Sequence, residues 1–463
     1  MLKLSCILVA LAITIAPLPA QAPQAVDLVI SNGIVVSMDG GRRVFNPGSV
    51  AIRGSAIEAV GPAAEIARQY KGRDVIDATG RVVMPGLINT HTHAPMVLYR
   101  GLGDDLALMD WLQKYIFPAE AKTVSSAFVR TGTELAALEM IRSGTTTYVD
   151  MYYFEEEIAR ATRQAGLRGV LGQTIIEFPV PDAKTPADGL RRAEAFIREF
   201  QKDDLITPAV APHAVYTNDA ASLTQSRDLA RKYGVPLLIH LGETEAEIPL
   251  SMERHKARPV AALEALGVLG VRVIAAHAVW IEPDEIHLLQ QRGVGIAHNP
   301  ESNMKLASGV APVPAFLSNK MAVGLGTDGA ASNNDLDMFE AMRQAAFLHK
   351  LTSKDPRVVS APVALEMATL GGARVIGREK QLGSLEPGKL ADVIVVRMDR
   401  ARQTPMYDPV SHLIYTTRGD DVEATVVNGR ILMRAGKVVT LDEAKVLANA
   451  RAAAADVRAA VQP

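Results

Sequence analysis

The sequence predicts an α/β fold, a (β/α)8 TIM barrel with a small β-sandwich domain formed by both chain ends. Three observations predict it. Residues 81–380 alternate short apolar strands with stretches of helical periodicity, and eight such strands end near His91, Tyr152, Ile176, His213, His240, His277, His298 and Asp328. The flanking residues 23–80 and 381–440 share a different texture of short strands broken by turns. Five of the eight strand ends carry His and a sixth carries Asp; in such a barrel the C-terminal strand ends form one mouth, so these residues converge.

Each element follows from its residues. In the first flank Val29-Ile30 meets Ser31-Asn32-Gly33, Ile34-Val35-Val36 runs to Asp39-Gly40-Gly41, and Val50-Ala51-Ile52 stops at Arg53-Gly54. The second flank repeats this: Leu385-Glu386-Pro387-Gly388 precedes Ala391 to Val396, and Val426-Val427 reaches the hairpin signal Asn428-Gly429. Between the barrel strands, helical spacing covers Ser126 to Arg142, Asp219 to Tyr233, Pro259 to Leu269 and Asp284 to Arg292. Residues 441–463, Ala-rich from Ala448 to Ala460, read as a C-terminal surface helix.

Residues 1–22 read as a signal peptide: Lys3, an apolar stretch from Leu4 to Ala16, then Pro17-Leu18-Pro19-Ala20-Gln21-Ala22 with small residues for a cut after Ala20 or Ala22. The expectation is an exported protein, periplasmic or secreted, with no membrane attachment after cleavage. The competing reading, an uncleaved anchor, meets prolines that shorten the apolar run. The only cysteine, Cys6, lies inside this segment. The mature chain therefore has no disulfide and no thiolate ligand, and any metal must be held by His and carboxylate. The 463 residues, 48% hydrophobic and 22% charged, are too many for one small core. A net charge of -2 gives no reason to expect nucleic acid or an anionic membrane as partner. That leaves a small molecule as the expected partner, and a homo-oligomer is compatible with the sequence.

The chemistry starts at Met84-Pro85-Gly86-Leu87-Ile88-Asn89-Thr90-His91-Thr92-His93. Side chains at i and i+2 of a strand share a face, so His91 and His93 can close on one ion. Two ligands are too few, and the pair alone also reads as two partly exposed histidines. Leu237-Leu238-Ile239 runs straight into His240, read as the third ligand, with Glu243 as an acid/base group one loop turn beyond. Ile274-Ala275-Ala276-His277 repeats the pattern on the next strand. Gly324-Leu325-Gly326-Thr327-Asp328 ends in an aspartate that could complete the shell or cap the next helix. His213 is assigned to substrate contact and His298 to structure. His255, His287, His349 and His412 fall on helices or loops and read as surface residues.

These blocks, with His298-Asn299-Pro300-x-Ser302-Asn303-x-Lys305-Leu306 and Gly326-Thr327-Asp328-Gly329-Ala330-Ala331-Ser332-Asn333-Asn334, resemble the amidohydrolase superfamily. More closely they resemble its S-adenosylhomocysteine/5′-methylthioadenosine deaminases and related chlorohydrolases, in order from about Val26 to Val439. The resemblance implies His91, His93, His240 and Asp328 as metal ligands. It makes Glu243 and His277 the catalytic pair. It places Trp111, Glu120 and His213 on the ring face and ribose hydroxyls of a substrate. Binuclear relatives need a lysine on strand four, where this chain reads Thr207 to His213 without one, so a single divalent ion is expected. Zinc is preferred, and iron(II) or another divalent ion satisfies the same donors.

The reaction implied is hydrolytic deamination of an aminated purine-type ring, with adenosine, 5′-methylthioadenosine or S-adenosylhomocysteine giving the inosine-type product and ammonia. Glu243 would shuttle a proton from water to a ring nitrogen, contacting the substrate as it does so. His277 would orient the attacking water, and Asp328 would relay a proton to the leaving ammonia. The alternative is a chlorohydrolase or aminohydrolase of s-triazines or other heterocycles. A non-catalytic metal-dependent binding protein and an amide or lactam hydrolase are further readings. Near strand three, relatives that accept S-adenosylhomocysteine are expected to offer an arginine to its carboxylate, whereas this chain has Gly172-Gln173-Thr174. A neutral Gln cannot supply a charged bidentate fork, so a nucleoside without that carboxylate is the expected preference.

Overall fold

The computed structural model describes residues 22–461. The expected signal peptide lies, except for Ala22, outside the described residues.

Eight parallel strands close a barrel: β1 (Leu87–Thr92), β2 (Thr145–Tyr152), β3 (Arg168–Ile175), β4 (Ile206–Pro212), β5 (Leu237–Leu241), β6 (Val273–His277), β7 (Gly295–His298) and β8 (Val323–Leu325). Each pairs with its neighbours in sequence, and β8 closes the ring through Leu325 opposite Asn89 of β1. Strands covered by helices on one face and by the barrel interior on the other must be apolar or satisfied throughout. Accordingly β1, β2 and β3 are buried at every position. The expected helix Ser126–Arg142 is found with those limits. The stretch expected from Pro259 to Leu269 breaks sooner: its helix ends at Ala265, and Gly267 at φ 69° turns the chain into a short 3-10 segment.

The two flanks build one continuous nine-stranded sheet. Gln24–Val36 runs antiparallel to Val44–Arg53 and parallel to Tyr70–Asp77 and Arg81–Pro85. Arg81–Pro85 then pairs antiparallel with Val393–Arg397 of the C-terminal flank, which joins the halves. Leu28, Ile30, Val50, Ile52, Val83, Val393 and Val426 share one core. A helix, Ala63–Gln69, interrupts the strands where the sequence reading placed none; it is short and buries only Ala63 and Ile66, too little for a visible period.

The sheet also aims the barrel. Arg81–Pro85 passes through Gly86 directly into β1. A Cβ on Gly86 would lie 2.2 Å from the side chain of Thr146, so no other residue fits this junction. A buried ion pair, Arg168 Nε to Asp392 Oδ2 at 3.1 Å, ties β3 to the sheet. Helix Glu443–Val461 packs on Ser126–Arg142 and on Phe117–Thr123. Among the described residues no helix is long and apolar enough to cross a membrane.

The segment after β1 is an excursion over the mouth. It holds a 3-10 turn, Ala94–Tyr99, then a helical rod from Leu108 to Thr123 whose middle, Leu112–Ile116, is a π turn. Pro118 follows that turn; it has no N–H to donate, and its ring would clash with an ordinary α-helical carbonyl one turn back, so the wider turn accommodates it.

Candidate active site

His91 lies near the end of β1 and His93 just beyond it. His93 Nδ1 is 2.7 Å from the carbonyl oxygen of Met151 on β2. His240 Nδ1 is 2.8 Å from the carbonyl oxygen of His213. Both rings are thus held by their Nδ1–H groups and turn Nε2 to the barrel axis, where the two Nε2 atoms stand 3.3 Å apart. Two bare lone pairs at that distance repel unless a cation lies between them. His91 Nε2 is buried without a hydrogen-bond partner, although it and His93 Nε2 each lie 3.3 Å from Asp328 Oδ1. The other Asp328 oxygen accepts from Ser302 Oγ at 2.7 Å and Ser332 Oγ at 2.9 Å, which leaves Oδ1 to face His91 and His93.

Two overlapping donor sets, His91/His93/His240 and His91/His277/Asp328, have ligand atoms within 4.8 Å of one another. Nitrogen and carboxylate donors in this number fit a divalent ion such as zinc. The protonation states agree. Burial pushes the His91 pKa down to about 4 against the pull of Asp328. Burial and the surrounding histidines hold His240 well below its usual range. Burial works against the Asp328 carboxylate, but His91, His277 and His93 together hold the group well below the usual range.

His277, which belongs to the second of these sets, stands beside Glu243. His277 Nε2 is 3.8 Å from Glu243 Oε2 and 4.0 Å from Asp328 Oδ2. His277 at φ 71° and Asp328 at φ 64° both occupy the left-handed region, which costs a non-glycine residue and recurs where function fixes side-chain direction. Burial raises the Glu243 pKa, with His277 pulling the other way; a carboxyl shifted toward neutrality suits proton transfer. Glu243 N–H donates to Glu247 Oε2 at 3.0 Å, which fixes the loop. The approach of strand ends is close: a Cβ on Gly326 would lie 2.3 Å from Asn299 Oδ1.

The cleft above, open to solvent on one side, spans about 600 Å³ and is bordered by Trp111, Glu120, His213 and Glu243 as well as His93, His240, His277 and Asp328. Trp111 and Glu120 come from the helical rod, whose Leu108, Leu112, Ile116 and Phe117 make the wall apolar. Tyr152 donates to Glu120 Oε1 at 2.7 Å. Burial pushes Glu120 up to about 7, and Tyr152 and Tyr153 hold it from rising further. His213 Nδ1 is 3.0 Å from Thr217 Oγ1, leaving Nε2 to the cavity; burial lowers its pKa to about 3. Tyr152, Tyr153, Thr174 and Tyr216 also border the cavity and were not singled out in the sequence. For Tyr152 and Thr174 the position at the ends of β2 and β3 was the available signal.

Two readings need correction. Gln173 does not face the cavity: its Nε2 donates to Asp182 Oδ2 at 2.9 Å, and the neighbouring Thr174 borders the cavity instead. Successive strand residues point to opposite faces, so one step in register reverses the reading. His349 is not a surface residue; it lies on the inner face of helix Met338–Ser353, is buried, and its Nε2 is 3.0 Å from Nε2 of His298. Among the described residues, no Lys or Arg borders the cavity.

A metal cradle at the mouth of a (β/α)8 barrel, capped by a sheet from both chain ends, defines a class of metal-dependent hydrolases. Residues 82–432 match the Amidohydrolase family, and the chain belongs to that family. It is 48% identical over 425 residues to the 5-methylthioadenosine/S-adenosylhomocysteine deaminase of Syntrophobacter fumaroxidans, covering 92% of this chain and 97% of that protein. It is 43% identical over 437 residues to the 5′-deoxyadenosine deaminase of Methanosarcina mazei, covering 94% and 99%. Among solved structures, an adenosine deaminase from Xanthomonas campestris with bound zinc superposes with a TM-score of 0.93 at 38% identity, covering 94% of this chain and 100% of that one.

Proposed function

We propose that this protein is a metal-dependent aminohydrolase that deaminates an adenosine-type nucleoside, giving the inosine-type product and ammonia. One observation carries the reading: the proton-transfer groups Glu243, His277 and Asp328 open onto the same cavity as Trp111, Glu120 and His213. Reacting groups and a nucleoside-sized wall with polar handles thus face each other. The names of the relatives support the substrate class.

His91, His93, His240 and Asp328 would hold one ion per chain, zinc by their donor chemistry; β4 offers no lysine to bridge a second. An ion there supplies the acidification of water to a pKa of about 7. Glu243 takes a proton from the attacking water and delivers it to the ring nitrogen beside the amine-bearing carbon, which makes that carbon electrophilic. His277 accepts a hydrogen bond at Nε2 and aligns the water. Asp328, bordering the same cavity, passes the second proton of the water to the departing amine. Trp111 offers its face to the ring, while Glu120 and His213 address the ribose hydroxyls.

Residues 1–22, with their charged start, apolar middle and small residues at a cut, support export to the periplasm or beyond. N-terminal sequencing of protein recovered outside the cytoplasm tests this. For activity, ammonia release is measured with adenosine, 5′-deoxyadenosine, 5′-methylthioadenosine, S-adenosylhomocysteine, guanine, cytosine and melamine-type rings, and chloride release with a chlorinated triazine. Turnover of the nucleosides is the expected result; turnover of a triazine alone would replace this reading with the chlorohydrolase one.

A further inference from the structure

The run from His298 to Leu306 contributes no reacting group to the proposed chemistry, yet it grips two residues that do. After β7 it forms a short helix, Pro300–Lys305, in which Pro300, Ser302 and Asn303 are buried. Adjacent side chains reach different strand ends: Ser302 Oγ donates to Asp328 Oδ2, and Asn303 Oδ1 lies 2.8 Å from His277 Nδ1. Asn299 Nδ2 is farther from that ring nitrogen, at 3.3 Å. The Nδ2 of Asn303 has no partner among the described residues, so this side chain's polar contact is the one to His277.

An imidazole nitrogen 2.8 Å from a carbonyl oxygen carries the proton, and the opposite nitrogen then presents its lone pair. For His277 that opposite atom is Nε2, the one facing Glu243 and Asp328. The backbone of His277 is strained at φ 71°, so the ring direction depends on what holds the ring. We propose that Asn303 is a positioning residue for the reaction, accepting the Nδ1–H of His277 and fixing the ring with Nε2 as the acceptor toward the cavity. The proposal rests on the reading of His277 given above.

Three variants of the metal-loaded enzyme test it: Asn303→Leu, which removes acceptor and donor while keeping the branched shape; Asn303→Asp, which keeps an acceptor and removes the amide donor; and His277→Ala. Asn303→Leu is expected to lower kcat by about 10- to 100-fold, with KM, metal content and Tm near those of the wild type. Asn303→Asp should retain most of kcat, and Asn303→Leu should add nothing in the His277→Ala background. Nitrogen NMR of histidine-labelled protein should show His277 protonated at Nδ1 in the wild type and in Asn303→Asp, but altered in Asn303→Leu. An unchanged kcat in Asn303→Leu, an Asn303→Asp as impaired as Asn303→Leu, or a wild-type His277 protonated at Nε2 overturns the proposal. If Asn303→Leu does not fold, the spectrum and Asn303→Asp decide alone. If His277→Ala keeps its kcat, the reading of His277 fails, while the spectrum still decides the tautomer.

Discussion

The floor and the wall of the cavity are built on different principles. On the floor, each functional ring or carboxyl is held by a neighbouring strand end or loop: His93 by Met151, His240 by His213, His277 by Asn303, Asp328 by Ser302 and Ser332. On the wall, Trp111 and Glu120 ride on one interrupted helix outside the barrel. The apolar neighbours there fix no direction, and the hydrogen bond from Tyr152 to Glu120 is the main polar restraint. The difference teaches where substitutions should act. Changes on the floor alter reacting atoms and should fall on kcat, whereas changes on the wall alter what is held and should fall on KM.

The largest effect should follow removal of the metal. His91 from β1, His93 just beyond it, His240 from β5 and Asp328 beyond β8 meet only in the folded barrel, so the ion and the fold are coupled. Chelation is expected to abolish ammonia release and lower Tm, and zinc should restore both at one equivalent per chain. Elemental analysis giving two ions per active chain would break the description of the floor as a single cradle.

Next comes Glu243→Gln. The carboxylate faces the cavity beside His277 and belongs to neither donor set. The variant should keep its metal while kcat falls by about 100- to 10,000-fold, as for other lost acid/base groups. Loss of metal instead would make Glu243 a ligand and extend the cradle.

The same division explains what could be read in the sequence. Floor residues stand where a strand pattern stops, and that punctuation is local: Leu238-Ile239-His240 and Ala275-Ala276-His277 announce both strand and end. The wall has no such period. Trp111 and Glu120 were reached through resemblance, and their rod is broken by a π turn that blurs helical spacing. Alternation along β3 gives two faces without saying which is inside, so the sequence does not tell Gln173 from Thr174. The pair of His298 and His349 joins residues 51 apart, a contact that only the folded chain reveals.

On the wall, Glu120 separates binding from stability. Its native pKa of about 7 lies above the ordinary value of 4.5 because of burial. Between those values the native state holds a proton that the unfolded chain has released. Stability is therefore retained below 4.5, declines as pH rises through this window, and is lowest above about 7. The gap corresponds to on the order of 3 kcal/mol. Glu120→Gln should thus melt above the wild type near pH 8, with the advantage shrinking toward about pH 4.5. Its KM for a nucleoside should rise by about 10- to 100-fold, the worth of a charge-assisted hydrogen bond. A Tm difference independent of pH would show that burial does not govern this carboxyl.

The smallest expected effect concerns the substituent at the far end of the substrate. S-adenosylhomocysteine carries an amino-acid carboxylate, and the cavity offers it the carboxyls of Glu120 and Glu243 but no bordering Lys or Arg among the described residues. A desolvated anion without a charged partner loses affinity that a neutral 5′ group does not. Adenosine, 5′-deoxyadenosine or 5′-methylthioadenosine should therefore exceed S-adenosylhomocysteine in kcat/KM by at least about tenfold, or ~1.4 kcal/mol. A preference of that size for S-adenosylhomocysteine would sink the argument. Its physical basis can be sharpened on one strand: Thr174 borders the cavity, and Gln173 is turned to Asp182. Thr174→Arg should shift preference toward S-adenosylhomocysteine, whereas Gln173→Arg should leave the ratio unchanged, because a cation helps a carboxylate only from the face that meets it.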